Sequence, residues 1–119
     1  MITIGPEKVF ENKVKKFIEE KGGWQVKFFA NSYTKIGVPD ILACINGYFV
    51  GIEVKAENGN PSELQKYHCE EIRKAGGFAF ILYPSGFDDF KNFVYGLNCE
   101  RFDRDLPIIM KGEKDGKRS

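Results

Sequence analysis

The chain has 119 residues and a formal net charge of +1, from 18 basic and 17 acidic residues. This length suits one domain with its own core, and the balanced charge excludes nucleic-acid binding through a global basic excess. Three widely spaced cysteines and one histidine indicate neither a disulfide framework nor a zinc site. No apolar run reaches about 18 residues and no signal-like N-terminus is visible, so we expect a cytoplasmic protein with no membrane association.

The first predicted elements are a helix and a strand. Apolar residues recur at helical spacing over residues 6–21, where Pro6 suits a first helical position and two glycines end the pattern. A strand is predicted over 24–29. The polar loop over 30–36 carries Ser, Thr, Tyr and Lys side chains, which suit either phosphate contacts or an ordinary exposed loop.

A β-hairpin is predicted over residues 38–55, because two apolar runs flank Asn46 and Gly47, a pair typical of a type I′ turn. That turn pairs residues whose numbers sum to 93, which places Asp40 directly across from Glu53. Lys55 points to the same face, because strand side chains alternate.

The hairpin is apolar on both faces except at this end, which predicts a sheet covered on two sides. Like charges opposed across strands repel each other, and a divalent cation would offset the repulsion of Asp40 and Glu53. The alternative is an exposed hairpin end with an ordinary Glu/Lys pair.

A second helix is predicted over 62–75 and a strand over 78–83. Ser62 and Gln65 fit a capping box at the start of this helix, in which Gln65 reaches back to the Ser62 backbone. The strand–helix–strand order from the hairpin onwards predicts a right-handed parallel crossover.

A short amphipathic helix over 87–94, ended by Gly96, completes the predicted elements. The sequence therefore predicts an α/β fold with a mixed sheet of about four strands in the order α-β-β-β-α-β, flanked by helices. We expect a single domain over 1–98 and a flexible, charged C-terminal tail over 99–119.

Two carboxylates beside a lysine suit metal-assisted phosphodiester hydrolysis. Oxygen ligands hold Mg²⁺ or Mn²⁺, which polarises a phosphoryl oxygen and activates water, and an adjacent ammonium group orients that water or stabilises developing charge. The same residue types also suit other metal-assisted hydrolyses.

The ordered motifs resemble the PD-(D/E)xK nuclease superfamily. Pro39 and Asp40, followed by Glu53, Val54 and Lys55, match its defining pattern. Together with the surrounding glycines and helices, over roughly residues 7–83, they look most like a stand-alone VRR-NUC domain of the phage-encoded kind, which is also similar to archaeal Holliday-junction resolvases. The resemblance implies a restriction-endonuclease-like core.

The resemblance also implies roles for individual residues. Asp40 and Glu53 would ligate Mg²⁺ or Mn²⁺, the Val54 carbonyl would add a ligand, and Lys55 would act on the nucleophilic water. The implied function is a structure-selective DNA endonuclease acting as a homodimer on branched DNA, such as Holliday junctions. The alternatives are a catalytically silent, DNA-binding accessory subunit, or a restriction-like or exonucleolytic nuclease.

Glu11 and Gln65 are the two outlying site residues that the resemblance implies. Glu11 would complete the acidic cluster directly or through water, although Glu7 lies nearer the centre of the apolar helical stripe and a border glutamate can simply be solvated. Gln65 would sit at the rim of the site. Because the capping box competes for that side chain, we expect Gln65 to serve the site rather than the cap.

Overall fold

The computed structural model describes residues 4–29 and 36–112. The described chain forms an α/β fold, in which three helices flank a five-stranded mixed sheet, consistent with a restriction-endonuclease-like core. The elements in chain order are α1 (Pro6–Glu20), β1 (Trp24–Lys27), β2 (Ile41–Ile45), β3 (Tyr48–Val54), α2 (Glu63–Lys74), β4 (Phe78–Leu82), a 3-10 turn (Pro84–Gly86), α3 (Phe87–Asn98) and β5 (Ile109–Met110).

The strands lie in the order β1-β2-β3-β4-β5. Strands β1, β2 and β3 are antiparallel neighbours, whereas β3, β4 and β5 pair in parallel. The parallel pairing of β3 with β4 across α2 confirms the predicted parallel crossover, and its right-handedness stays a prediction.

The hairpin has the predicted turn and register. Asn46 and Gly47 have φ angles of 50° and 85°, the positive values that a type I′ turn requires at both central positions. Ile41 pairs with Ile52, so paired residue numbers sum to 93 as predicted. The hairpin therefore delivers Asp40, the residue before β2, to a position beside β3.

The two faces of the sheet are covered unequally. Helices α1 and α3 cover one face with the larger core, whereas α2 covers the other face mainly over β4. The prediction that the hairpin is covered on both sides is therefore wrong near its turn, which the short α2 does not reach. We call this region the open sheet face; it consists of the exposed residues Trp24, Val26, Cys44 and Phe49 and the half-buried Leu42.

Helix α3 continues through Gly96 to Asn98, beyond its predicted end. The Arg101 backbone N–H donates to the Gly96 carbonyl at 2.7 Å, and a Cβ atom at Gly96 would collide with the Arg101 carbonyl oxygen. Gly96 is therefore required by the close approach of the following chain and does not end the helix.

Strand β5 lies within the segment that the sequence analysis assigned to a tail. Arg73 on α2 donates to the carbonyls of Leu106 and Pro107, and the Tyr83 N–H donates to the Met110 carbonyl at 3.1 Å. These contacts attach residues 106–110 to the sheet. Residues 113–119 of the predicted tail lie outside the described residues, and the domain boundary stays a prediction.

Candidate active site

Asp40 and Glu53 meet at the end of the hairpin that is remote from its turn. The pairing of Ile41 with Ile52 continues one step to place Asp40 opposite Glu53. The Glu53 side chain is 6% exposed and that of Asp40 is 26% exposed. The structure thus brings the two predicted carboxylates together where solvent screens their repulsion poorly.

The electrostatics of Glu53 reflect this position. Burial, together with the negative charge of Asp40, raises the pKa of Glu53 to about 8, although Lys55 opposes the shift. The Lys55 ammonium lies 3.9 Å from a Glu53 carboxylate oxygen, too far for a close hydrogen bond. Without an added cation, Glu53 is therefore largely protonated at neutral pH and can share its proton with Asp40.

The Gln65 side chain takes part in the helix cap and contacts Glu53 at the same time. Its side-chain oxygen accepts from the Ser62 N–H at 2.9 Å, and the Ser62 hydroxyl accepts from the Gln65 N–H at 3.1 Å. Its amide nitrogen donates to Glu53 at 3.0 Å. The expectation that one role excludes the other was wrong, because an amide has an acceptor end and a donor end that can be used separately.

Glu11 lies at the centre of a lysine cluster. Its carboxylate is 3.2 Å from Lys8, 3.1 Å from Lys15 and 2.9 Å from Lys27. Burial opposes its ionisation, but the hydrogen bonds from the three lysines outweigh burial and lower the pKa of Glu11 to about 2. Glu11 is buried whereas Glu7 is exposed, which agrees with the preference for Glu11 that followed from the resemblance.

Lys27 connects this cluster to the carboxylate pair, and the sequence analysis missed it. Its ammonium lies 2.9 Å from Glu11 and 4.0 Å from Asp40. Burial lowers the pKa of Lys27, but its hydrogen bond to Glu11 and the charge of Asp40 prevail and raise it. The available signal was a lysine within the first predicted strand, but the register of that strand depends on its pairing with a strand that begins 14 residues further along the chain.

The acidic side chains do not converge on one point. Within residues 4–29 and 36–112, no three His, Cys, Asp or Glu side chains lie close enough together to hold a metal ion. Asp40 and Glu53 form a pair, and Glu11 is engaged by lysines instead. The loop with predicted phosphate-contact chemistry falls at 30–36, of which 30–35 lie outside the described residues.

A protein-family comparison matches residues 5–91 to the archaeal Holliday junction resolvase (Hjc) model. The chain belongs to this resolvase family. The match spans more than half of the chain and includes every site residue described above. The Hjc family comprises PD-(D/E)xK-type nucleases that depend on a metal and act on branched DNA. A comparison with curated proteins finds no match.

The described part of this resolvase-family chain contains no helix that is long and apolar enough to cross a bilayer.

Proposed function

We propose that this chain is a divalent-metal-dependent endonuclease that hydrolyses phosphodiester bonds in branched DNA, including Holliday junctions. The observation that carries the proposal is the Asp40–Glu53 pair, in which a half-buried carboxylate faces a buried one. Among the described residues, Lys55 and Lys27 lie 3.9 Å and 4.0 Å from the pair, too far for close hydrogen bonds. In a member of a resolvase family, such a pair is suited to a divalent ion. A DNA substrate would place the activity in the cytoplasm.

The donor atoms at this end of the hairpin fit Mg²⁺ or Mn²⁺. Asp40 and Glu53 supply carboxylate oxygens, which these hard cations prefer. The register places Pro39 opposite Val54, and proline has no N–H to donate, so the Val54 carbonyl lacks its usual ladder partner and is suited to be a third ligand. A bound cation would supply Lewis-acid activation of the phosphodiester and of water.

The other site residues would position and tune this centre. Lys55 shares the face of Glu53 and would orient the attacking water or stabilise negative charge that develops on the phosphate. Gln65 holds the Glu53 carboxyl in place by its 3.0 Å hydrogen bond. Glu11 would act through Lys27, which lies 4.0 Å from Asp40, or through water.

We further propose that the chain acts as a homodimer. The open sheet face exposes 63% of Trp24, 42% of Val26 and 44% of Phe49, and a contiguous apolar surface of this kind is typical of a protein interface. A second copy of the chain would cover it, and two sites could then act on opposite strands. The finer likeness to stand-alone VRR-NUC domains of phage remains part of this proposal.

The test is incubation of the purified protein with four-way junctions, flaps, linear duplex and single strands in the presence of Mg²⁺ or Mn²⁺. We expect cleavage that requires the metal and is fastest on branched DNA. Circular dichroism on the same preparation confirms that the protein is folded. Folded protein that binds these DNAs but cleaves none of them would support an accessory subunit instead, and short products from duplex ends would support an exonuclease.

A further inference from the structure

The lysines of the described chain divide into two groups. Most of them form ion pairs with a carboxylate, including the three that surround Glu11. The others form no ion pair with a carboxylate of the described residues; one of them, Lys111, lies in the C-terminal segment, and four lie on or next to α1 and α3. We call these four the lysine patch; it consists of Lys13, Lys16, Lys21 and Lys91.

Aromatic rings hold part of the lysine patch in place. The Lys91 ammonium lies 4.6 Å from the ring centroid of Phe87, and the Lys21 ammonium lies 5.1 Å from that of Tyr95. Both ammonium groups also lie within 6 Å of the Phe17 ring. A cation–π contact orients an ammonium group but does not neutralise its charge, so the positive charge stays available to an external anion.

Three lysines of the patch surround a concave surface. Lys13, Lys16 and Lys91 line a shallow depression of about 230 Å³ together with Phe17 and Phe87. Lys13 and Lys16 are exposed, and Glu20 is the acidic residue that also lines the depression. Lysine ammonium groups arranged around an apolar floor can contact several phosphates of one nucleic-acid backbone.

The lysine patch faces away from the candidate active site. At about 100° per residue, Lys16 and Lys13 lie about 140° and 200° around the axis of α1 from Glu11. A helix with side chains is about 10–12 Å wide, so one short, straight duplex seated at Asp40 and Glu53 would have to bend around α1 to contact its far side. A branched DNA offers other arms that leave the site in different directions.

We infer that the lysine patch binds the phosphate backbone of a second DNA arm, one that is not being cut at the active site of the same chain. This inference rests on the proposed function for the identity of the substrate. The contact is independent of base sequence, because phosphates carry no sequence information. It would increase the affinity for branched DNA more than that for a short linear duplex.

The test measures DNA binding in chelator, so that it does not depend on cleavage. The variant Lys13→Gln/Lys16→Gln removes two exposed charges from the lysine patch. The matched control, Arg101→Gln/Lys111→Gln, removes two exposed charges from the C-terminal segment that also form no ion pair with a carboxylate of the described residues. Fluorescence anisotropy between about 50 and 200 mM salt gives the affinity of each protein for a labelled four-way junction and for a short linear duplex.

We expect the patch variant to bind the junction about tenfold more weakly than the wild type. The slope of log affinity against log salt should become shallower by about 2, because each lost phosphate contact lowers that slope by about 0.9. We expect the junction affinity of the control, and the short-duplex affinity of the patch variant, to change by less than about twofold. Cleavage of the junction at saturating protein should proceed at the wild-type rate, because the variant leaves the active site intact.

Equal salt slopes for the patch variant and the control would overturn the inference. So would a patch variant that keeps its junction affinity but no longer binds vesicles containing phosphatidylserine, which would assign the patch to lipid headgroups. If the wild type binds junctions but does not cleave them, the proposed function fails, whereas the slopes still decide the role of the lysine patch.

Discussion

The two buried glutamates of this molecule, Glu11 and Glu53, are alike in burial and opposite in electrostatics. They are 3% and 5% exposed. Burial opposes ionisation of both, yet the pKa of Glu11 is lowered to about 2 whereas that of Glu53 is raised to about 8. The difference lies in their neighbours, because three lysines surround Glu11 while Glu53 faces another carboxylate.

The comparison indicates where an external cation would be favoured. The protein itself neutralises Glu11, so a metal ion would gain little there and would have to displace lysines. The Asp40–Glu53 pair relieves its repulsion by holding a proton on Glu53, which a divalent ion would displace. Glu11 therefore pairs with the lysines beside the candidate site, whereas Asp40 and Glu53 are the residues suited to bind a divalent metal ion.

The largest expected effect comes from Glu53→Gln, which removes one carboxylate of the pair. We expect cleavage of branched DNA to fall by at least about a thousandfold, since a metal ion supplies several kcal/mol of transition-state stabilisation. Binding of Mn²⁺, measured by calorimetry, should weaken in parallel. Wild-type turnover in this variant would show that Glu53 does not belong to the metal site.

Lys55→Ala tests whether the lysine beside Glu53 takes part in the hydrolysis without binding the metal ion. We expect cleavage to fall by about 10²–10⁴-fold, as for the loss of a proton-transfer group. Affinity for Mn²⁺ and for junction DNA in the absence of cleavage should stay within about twofold of the wild type. A variant that turns over as fast as the wild type would refute the assigned role.

Glu11→Gln tests the other side of the comparison. This variant leaves Lys8, Lys15 and Lys27 without their shared carboxylate, so we expect the free energy of unfolding to fall. The fall should be limited to about 1–3 kcal/mol, because solvent partly screens the charges of these lysines. Urea denaturation measures this change, and the loss of cleavage should be smaller than for Glu53→Gln. Unchanged stability with a complete loss of Mn²⁺ binding would instead make Glu11 a metal ligand.

Glu53 and Glu11 should also differ in how they make the stability of the protein depend on pH, measured in chelator so that no metal ion is bound. The folded-state pKa of Glu53 lies above its ordinary value of 4.5, so its contribution to stability is present below pH 4.5 and is lost as the pH rises through about 8. For Glu11 the sign is opposite, because its contribution is present above pH 4.5 and is lost as the pH falls through about 2. Thermal denaturation of Glu53→Gln should therefore show a flatter profile than the wild type between about pH 5 and pH 8. Parallel profiles for the two proteins would contradict the raised pKa.

The smallest expected effect separates the two roles of Gln65. Ser62→Ala should cost about 1 kcal/mol of stability, as for the loss of an N-cap, and leave cleavage unchanged. Gln65→Ala should cost a similar amount and also lower cleavage several-fold, because Glu53 loses its 3.0 Å hydrogen bond. Equal cleavage rates for the two variants would show that Gln65 acts only as a capping residue.

The central hairpin was predictable because its information is local. A two-residue turn at Asn46 and Gly47 fixes every pairing down to Asp40 and Glu53, and no distant contact is needed to establish that register. The helices α1 and α2 followed in the same way from periodicity and from end signals that lie within each segment.

The features that the sequence analysis missed depend on distant contacts. The position of Lys27 requires the register of β1, which ends 14 positions before β2 begins. Strand β5 has two residues and is attached by the Arg73 side chain, 33 positions before Leu106. Local propensity carries no signal for either feature, because both are determined by tertiary packing.

The most direct test of the central claim is the single-turnover rate of four-way junction cleavage as Mg²⁺ or Mn²⁺ is added, measured side by side for the wild type and Asp40→Asn. We predict that the wild type cleaves only when the metal is present, and cleaves the junction faster than a linear duplex, whereas folded Asp40→Asn does not cleave. Cleavage that persists in chelator, or a wild-type rate in Asp40→Asn, would contradict an active site built on the Asp40–Glu53 pair.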